Sequence, residues 1–295
     1  MCVRNGRYAA LLDTTNPNAS LYFTNKLNDL KKNYLIDAFK FDAGESYWTP
    51  RAFSLWDPNV NPNVYSADYV RAAATMGNFI EVRVGARTQD VGVFYRILDR
   101  ATDWTIHDGI KSVITETLQF SILGYPYVLP DIIYGNGGPD KSKKELFIRW
   151  TQLNTFLPAM QFSVPPFYFD NETDNICLKL VQFRQAAISS YIIELASKLD
   201  GIPIIRPMWW ANNTDISVFT INDQFMVGDE IVVAPILDEG VTSRNIYLPG
   251  GKWLDPTNKS TIVGPTWLNN YPAPLDIIPY FLLQTGSVRN STYFK

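Results

Sequence analysis

Short apolar runs alternate with longer helical patterns through residues 1–210. The runs that predict strands are AFKF (38–41), FIEVRV (79–84), YPYVL (125–129), AMQFSV (159–164) and IPII (202–205). The segments between these runs are long enough to form helices. This alternation predicts βα units around a parallel sheet, and therefore an α/β fold.

Capping residues mark the ends of the predicted helices. Asn16-Pro17 predicts an N-cap followed by a first-turn proline, and Ser66 predicts the cap of the segment ADYVRAAATMG. Asp174 predicts the start of a long helical segment that stops at Gly201. These helices would connect the strands of the predicted sheet.

The pattern changes towards the C-terminus. EIVVAPIL, RNIYLPG and GKWLDP are strand signals separated by Gly and Pro turns, without a helical pattern. We therefore expect an α/β domain over residues 1–225 and a small antiparallel β domain over residues 226–295. The predicted strands are too few for a closed (β/α)₈ barrel, which needs about eight. The first domain is thus either an open sheet or the C-terminal part of a larger barrel.

Composition excludes several classes of function. The formal net charge is −3, from 26 basic and 29 acidic residues without long runs, so we expect neither nucleic acid nor a membrane surface as a partner. Cys2 and Cys177 are too few for a disulfide framework, and His107 is the only histidine, which leaves no metal-binding cluster. His107 lies near a predicted helix start, where we expect a surface or capping role.

Charged side chains follow the predicted strands. Asp42, Arg83, Asp131 and Arg206 each lie at the carboxyl end of a strand, and Asp99 lies in the loop VFYRILDRATDW. Carboxylates with arginines, without a phosphate-binding glycine loop, suit acid-catalysed hydrolysis of a glycoside. A strand-end aspartate is more often a helix cap or a turn former, so the pattern alone leaves both interpretations open.

Aromatic residues are frequent near the same strand ends. They are Tyr47, Trp48, Trp104, Trp209 and Trp210. Aromatic rings can stack on sugar faces, although tryptophans more commonly pack in a core. We take Trp48 and Trp104 as candidate substrate-binding residues.

Several motifs resemble glycoside hydrolase family 31 in their order and spacing. They are FKFDAGE, VRVGARTQDVGVFYRILDRATDW, LGYPYVLPDIIYGN, RWTQLNTFLPAMQFSVPP, IPIIRPMWW and QFMVGDEIVVAPILDEG. The resemblance covers residues 9–285. It implies that the predicted strands are strands four to eight of a (β/α)₈ TIM barrel, followed by a C-terminal β-sandwich domain.

The resemblance also implies roles for four charged residues. Asp42 matches the nucleophile and Asp99 the acid/base catalyst of a retaining α-glycosidase, in which the two carboxyl groups lie about 5 to 6 Å apart. Arg83 matches an arginine that holds the sugar and the nucleophile, and Asp131 matches an aspartate that binds a sugar hydroxyl. This chemistry needs no cofactor.

Two segments depart from the α-glucosidases of the family. RILD (96–99) replaces a Trp-Gly-Asp approach to the acid, and FSVP (162–165) replaces a histidine. FKFDAGE, LDRxxxW and FSVPP are closer to the myogenesis-regulating glycosidase group, whose action on α-galactosides makes these the preferred substrate class. An α-glucosidase or α-xylosidase is the alternative, as is a carbohydrate-binding relative that has lost turnover.

The resemblance further predicts that the chain is a C-terminal fragment, inactive alone because barrel strands one to three are missing. Sequons favour a glycoprotein of the endoplasmic reticulum lumen or the extracellular space; they lie at Asn18, Asn171, Asn212, Asn258 and Asn290. We expect a small oligosaccharide or glycoside as substrate and no membrane contact from this segment. The sequence does not determine the oligomeric state, and a homo-oligomer is one of the alternatives.

Overall fold

The computed structural model describes residues 2–4, 7–198 and 200–284. The chain divides into two compact units, Met1–Arg96 and Ile97–Lys295. Among the residues described, no helix combines the length and the apolar composition needed to cross a membrane. The domain boundary at residue 225 stays a prediction.

The first unit contains a hairpin, helices and a parallel sheet. Its elements are β1 (Cys2–Arg4), β2 (Arg7–Ala9), α1 (Pro17–Tyr34), β3 (Lys40–Phe41), α2 (Val64–Ala74), β4 (Glu81–Val82) and β5 (Phe94–Arg96). β1 and β2 pair antiparallel, whereas β3, β4 and β5 pair parallel in that order. The sequence assigns β5 to a loop, which is wrong; three residues are too short a run for the strand rule to detect.

Local capping explains one helix start but not the other. Asn16 accepts a backbone hydrogen bond at 2.9 Å and Pro17 occupies the first turn of α1, as predicted. α2 begins at Val64, so Ser66 lies inside the helix and the predicted cap is wrong. The Ser66 hydroxyl donates instead to the carbonyl of Gly44 at 2.7 Å.

The parallel strands separate an apolar face from a polar one. Side chains alternate along a strand, and Phe41, Val82 and Tyr95 occupy one set of alternating positions and are all buried. Phe41 contacts Phe23 of α1 and Tyr69 of α2 edge-on, with ring centroids 6.3 and 6.4 Å away. The two helices therefore cover the apolar face, and the intervening positions of β3 and β4 carry the charged residues Lys40 and Glu81.

In the second unit, helices and short parallel strands precede an antiparallel sheet. The helices are α3 (Ile110–Ile122), α4 (Lys144–Thr155), α5 (Asn171–Phe183), α6 (Ser189–Ser197) and α7 (Met208–Ala211), with a π-helical turn (Arg184–Ile188) between α5 and α6. The strands are β6 (Val128–Leu129), β7 (Ile132–Ile133), β8 (Gln161–Phe162), β9 (Ile205–Arg206), β10 (Phe225–Val227), β11 (Ile231–Val233), β12 (Ser243–Asp255), β13 (Ser260–Pro272) and β14 (Tyr280–Leu283). β7 pairs parallel with β8.

Two predicted elements of this unit are wrong in detail. The helix expected to start at Asp174 begins at Asn171, because Asp170 accepts the backbone N–H of Thr173 at 2.8 Å and caps it. IPII is expected as a strand of the parallel sheet, but β9 pairs antiparallel with β10. An apolar run carries no information about its partner strand, so the sequence could not distinguish the two sheets.

The antiparallel sheet has the strand order β13-β12-β14-β11-β10-β9 and is covered on both faces at its centre. Phe225 and Val227 of β10 pack into one apolar cluster, whereas Met226 between them packs into another. β11 repeats this alternation. Because both faces are buried, the sequence in this region is continuously apolar rather than alternating.

Two arginines fix the buried helix α4. Every residue from Leu146 to Thr155 is buried. The guanidinium of Arg149 donates to backbone carbonyls in residues 241–277, and that of Arg184 donates to carbonyls of residues 154–158 at the end of α4. Burial lowers the pKa of each guanidinium to about 10. Both therefore stay charged at neutral pH and can satisfy several carbonyls at once.

Candidate active site

Asp42 directly follows β3 and lies between two arginines. Its Oδ1 is 3.0 Å from Arg83 Nη1 and accepts a hydrogen bond from Arg96 Nη2 at 2.9 Å. The Arg96 side chain is 4% exposed, whereas that of Asp42 is 62% exposed. Within the described part of the chain, Oδ2 of Asp42 accepts no hydrogen bond. One carboxylate oxygen is thus fixed by two cations, and the other is open to a ligand.

Nearly buried carboxylates hold the two arginines in turn. Arg83 Nε donates to Glu45 Oε1 at 2.6 Å, and Arg96 Nε lies 3.7 Å from Glu81 Oε1. Lys40 pairs in register with Glu81 across β3 and β4, and its Nζ lies 2.9 Å from Glu81 Oε1. Cations and carboxylates therefore alternate, which offsets the cost of burying the guanidinium groups.

The turn after Asp42 has a left-handed backbone and is fixed by α2. Ala43 has φ +63° and Gly44 has φ +93°. Ser66 donates to the carbonyl of Gly44, and the Tyr69 hydroxyl donates to the carbonyl of Asp42, both at 2.7 Å. Burial, and then neighbouring acidic groups, raise the pKa of Tyr69, so its hydroxyl stays protonated and able to donate.

Asp99 lies in a loop whose backbone is tied on either side. Ile97 N donates to the carbonyl of Leu129 at 3.0 Å, and Arg100 N donates to Asp131 Oδ2 at 3.0 Å. Asp131 is 2% exposed and has φ +59°. Asp99 itself is exposed and lies on a constrained backbone.

The side chain of Arg100 links this loop to α3. Its Nη1 lies 2.8 Å from Glu116 Oε2 and donates to Ser112 Oγ at 2.7 Å, while its Nε donates to the carbonyl of Leu98 at 2.7 Å. Burial raises the pKa of Glu116, and the charge of Arg100 only partly offsets this rise. Arg100 thus joins the backbone beside Asp99 to a rigid helix.

The candidate aromatic residues have different environments. Tyr47 and Trp48 are exposed in the 3₁₀ turn Ser46–Trp48, with ring centroids 5.0 Å apart. Trp104 is half-buried and packs against the core of the second unit. Trp48 is therefore the more accessible of the two to a ligand, and a sugar-binding role stays a prediction for both.

The structure groups the predicted site residues in pairs. Asp42 and Arg83 are in contact within the first unit, and Asp99 and Asp131 are connected through the N–H of Arg100 within the second. The catalytic roles assigned to the two aspartates, and the separation of their carboxyl groups, stay predictions.

Sequence reasoning missed Glu81 and the contact of Arg96 with Asp42. The first could have been found, because Lys40 and Glu81 are opposite charges on two neighbouring predicted strands. The second could not, because β5 was not recognised as a strand and its register was therefore undefined.

Thiol chemistry at Cys177 finds little support in the structure. Among the described residues, no group of three or more His, Cys, Asp or Glu side chains could hold a metal ion. Burial raises the pKa of the Cys177 thiol to about 11. A neutral buried thiol is a poor nucleophile, so Cys177 is a packing residue.

Two family models match the chain. The model of the glycosyl hydrolases family 31 TIM-barrel domain matches residues 3–191, and that of the glycosyl hydrolase family 31 C-terminal domain matches residues 201–288. The chain belongs to glycosyl hydrolase family 31. The family and the α/β class predicted from the sequence are confirmed, as is a C-terminal domain with an antiparallel sheet.

Known proteins are similar to this chain over most of its length. The myogenesis-regulating glycosidase of Mus musculus is 38% identical, over 92% of this chain and 40% of its own length. The SITS-binding protein of Tetronarce californica is 32% identical, over 95% of this chain and 41% of its own length. The crystal structure of a GH31 alpha-xylosidase from a soil metagenome, complexed with xylose, matches with a TM-score of 0.83 at 22% identity, covering 94% of this chain and 47% of that one. The chain spans about two fifths of the length of these curated relatives.

Proposed function

We propose that the protein is a retaining exo-α-glycosidase that hydrolyses terminal α-galactosides, with Asp42 as nucleophile and Asp99 as acid/base catalyst. The geometry of Asp42 carries this proposal: two arginines hold Oδ1, and Oδ2 is open. A carboxylate nucleophile needs this asymmetry, because one oxygen must be oriented while the other forms the bond. Membership of family 31 supports the assignment.

The reaction proceeds in two displacements. Asp42 Oδ2 attacks the anomeric carbon while Asp99 gives its proton to the departing glycosidic oxygen, so one C–O bond breaks and a glycosyl ester forms. The Asp99 carboxylate then takes a proton from water, whose oxygen attacks the anomeric carbon and releases the Asp42 carboxylate. Two inversions at the same carbon retain its configuration.

The two arginines act mainly in the second displacement. Negative charge returns to Asp42 as the ester breaks, and the guanidinium groups next to Oδ1 stabilise that charge. The same groups would also make the free carboxylate less nucleophilic. Glu45 and Glu81 counter this effect, because each shares the charge of one arginine.

We assign the remaining candidates to substrate binding. Arg83 and Asp131 would hold sugar hydroxyls, and Trp48 and Trp104 would contact a sugar face. The parallel strands would form part of a (β/α)₈ barrel, and the antiparallel sheet part of a β-sandwich domain. The α-galactoside preference rests on the sequence resemblance, in which RILD (96–99) replaces the Trp-Gly-Asp segment of the α-glucosidases.

The test is turnover of aryl α-glycosides by the full-length protein. We expect the highest kcat/KM on the α-galactoside, and loss of turnover in Asp42→Asn. Asp90→Asn is the matched control, because Asp90 also pairs with an arginine, Arg71, but at an exposed site. Proton NMR of the first-formed product should show the α-anomer.

Other outcomes of this assay would replace the proposal. A preference for α-xylosides or α-glucosides would change the substrate while keeping the catalytic pair. Sugar binding without turnover, unchanged by Asp42→Asn, would identify a carbohydrate-binding protein. A first-formed β-anomer would refute the retaining mechanism.

We further propose that the protein is a glycoprotein of the secretory lumen that carries a glycan at Asn258. This sequon lies in the exposed turn between β12 and β13, where Asn258 Oδ1 accepts the N–H and the hydroxyl of Ser260 at 3.1 and 2.6 Å. The amide of Asn212 instead donates to Tyr247 Oη at 3.0 Å, and Thr173 in the Asn171 sequon is buried. Peptide mapping after enzymatic deglycosylation should mark Asn258. An unmodified Asn258 in secreted protein would contradict this assignment.

A further inference from the structure

The ion pair between Arg100 and Glu116 holds the backbone before Asp99, and Asp131 holds the backbone after it. Arg100 Nε donates to the carbonyl of Leu98 at 2.7 Å, and the Arg100 N–H donates to Asp131 Oδ2 at 3.0 Å. The N–H of Leu98 donates to Oε1 of Glu116 at 3.5 Å. The residues before and after Asp99 are therefore both fixed, through three backbone groups.

This arrangement is anchored on α3. Arg100 Nη1 binds Ser112 Oγ and Glu116 Oε2, at 2.7 and 2.8 Å, and both residues lie on this helix. The Ser112 hydroxyl donates in turn to the carbonyl of Gly109, just before the helix, at 2.6 Å. The apolar side of α3 packs in the core of the second unit. The loop thus takes its position from a rigid element rather than from its own conformation.

Stability alone is a weak explanation for such a pair. The side chain of Arg100 is 5% exposed and that of Glu116 is 18% exposed, so both lose most of their hydration. Apolar residues of similar volume often stabilise a buried position as well as an ion pair does. What apolar residues cannot supply is the set of directed hydrogen bonds to Leu98. The geometry imposed next to Asp99 therefore explains the pair better.

We propose that Arg100 and Glu116 are positioning residues for Asp99, holding the loop so that the carboxyl group meets the departing glycosidic oxygen. The inference rests on the proposed function, in which Asp99 is the acid/base catalyst. Neither residue touches the reacting atoms. They determine the position of the Asp99 carboxyl group at the moment when it donates its proton.

A displaced acid has a characteristic kinetic signature. A leaving group of high basicity needs a proton as the C–O bond breaks, whereas a dinitrophenolate departs without one. An error of about 1 Å in the position of a catalytic group can cost on the order of a hundredfold in rate. The loss should therefore be large for alkyl and sugar leaving groups, and small for the dinitrophenyl glycoside. A general loss of folded protein would instead lower the apparent kcat/KM by the same factor for every substrate.

The experiment measures kcat/KM of the full-length protein on a series of α-glycosides from methyl to dinitrophenyl. The variants are Arg100→Met, Arg100→Lys and Glu116→Gln. We expect Arg100→Met to lose roughly 10- to 100-fold on the methyl glycoside and only a few-fold on the dinitrophenyl glycoside. Arg100→Lys keeps the charge but not the fork of donors, so its loss should be intermediate. This variant and Glu116→Gln keep the test decisive if Arg100→Met does not fold.

Arg244→Met is the matched control. Arg244 is 10% exposed and its Nη2 pairs with Asp223 at 2.8 Å, so it resembles Arg100 in burial and charge but lies in β12. We expect its loss, if any, to be equal across the series. A flat loss in the Arg100 and Glu116 variants, or no loss, would overturn the inference.

Asp99→Asn separates this inference from the proposed function. A steep dependence on the leaving group in Asp99→Asn, together with a flat one in the Arg100 variants, would refute the positioning role alone. A flat dependence in Asp99→Asn, in an active protein, would refute the role of Asp99 itself. The inference is supported only where both sets of variants show the steep dependence.

Discussion

Gly44 is the position where a single methyl group should damage the site most directly. Its φ of +93° favours glycine, and a Cβ atom there would lie 2.5 Å from Tyr69 Cδ1 and 2.9 Å from Val84 Cγ2. The left-handed backbone costs an alanine about 1 to 2 kcal/mol, and overpacking costs about 1 to 3 kcal/mol more. At about 2 to 4 °C per kcal/mol, we expect Gly44→Ala to lower the Tm by about 10 °C.

The same substitution should also reduce activity. The hydroxyl of Tyr69 donates to the carbonyl of Asp42 at 2.7 Å in the wild-type protein. Because the ring of Tyr69 must move to admit the methyl group, this hydrogen bond would move or break. A shift of the nucleophile by about 1 Å would cost on the order of a hundredfold in kcat. Turnover of the best aryl α-glycoside and thermal unfolding are measured on the same preparation of the full-length protein.

Gly77→Ala is the control for backbone strain. Gly77 has φ +112°, and a Cβ there would meet no atom within 4 Å, so this variant should lose only the strain of about 1 to 2 kcal/mol. It should keep normal turnover. Equal losses of Tm in the two variants, with full activity in both, would refute the argument that Tyr69 connects Gly44 to the nucleophile.

Further substitutions test the ion pairs and one helix cap. Arg96→Met removes one of two guanidinium groups from Asp42 and should lower kcat/KM roughly tenfold or more, as measured on the best aryl glycoside; unchanged kinetics would contradict its role. Arg149→Met leaves buried carbonyls without donors and should lower the free energy of unfolding by about 3 kcal/mol, as measured by urea denaturation; a loss below about 1 kcal/mol would contradict the accounting of its hydrogen bonds. Asp170→Asn should lower the Tm at neutral pH. The hydrogen bond from Lys144, and then those from Thr173, lower the pKa of the Asp170 carboxyl to about 2, so its stabilising effect is complete above about pH 4 and is lost as the pH falls towards 2. The Tm values of wild type and variant should converge over that range, and a constant difference would rule out this carboxylate as the cause.

The sequence predicts elements whose signals are local. Asn16 and Pro17 start α1 because the cap and the fixed proline φ act within one turn. Asp42, Arg83 and Asp131 follow their strands closely, because apolar runs end where the chain reaches the edge of the sheet. No partner elsewhere in the chain is needed to make these predictions.

The elements that the sequence misses depend on distant partners. β9 joins the antiparallel sheet because β10 pairs with it, and nothing within IPII specifies that neighbour. Serine is a common helix N-cap, but the Ser66 hydroxyl donates instead to the carbonyl of Gly44, 22 residues earlier in the chain. The contact between Arg96 and Asp42 likewise needs three strands in register before it exists.

Ion pairs support both the carboxylate of Asp42 and the backbone next to Asp99, and each kind of support suits the task proposed for that residue. Asp42 must form and release a bond at one oxygen without changing its protonation state, so cations fixed on rigid strands can orient it directly. Asp99 must take up and give back a proton in each cycle, so its carboxyl group has to stay in place while its charge changes. Arg100 brings its charge to Glu116 and Leu98, so it can fix the position of Asp99 through the chain itself.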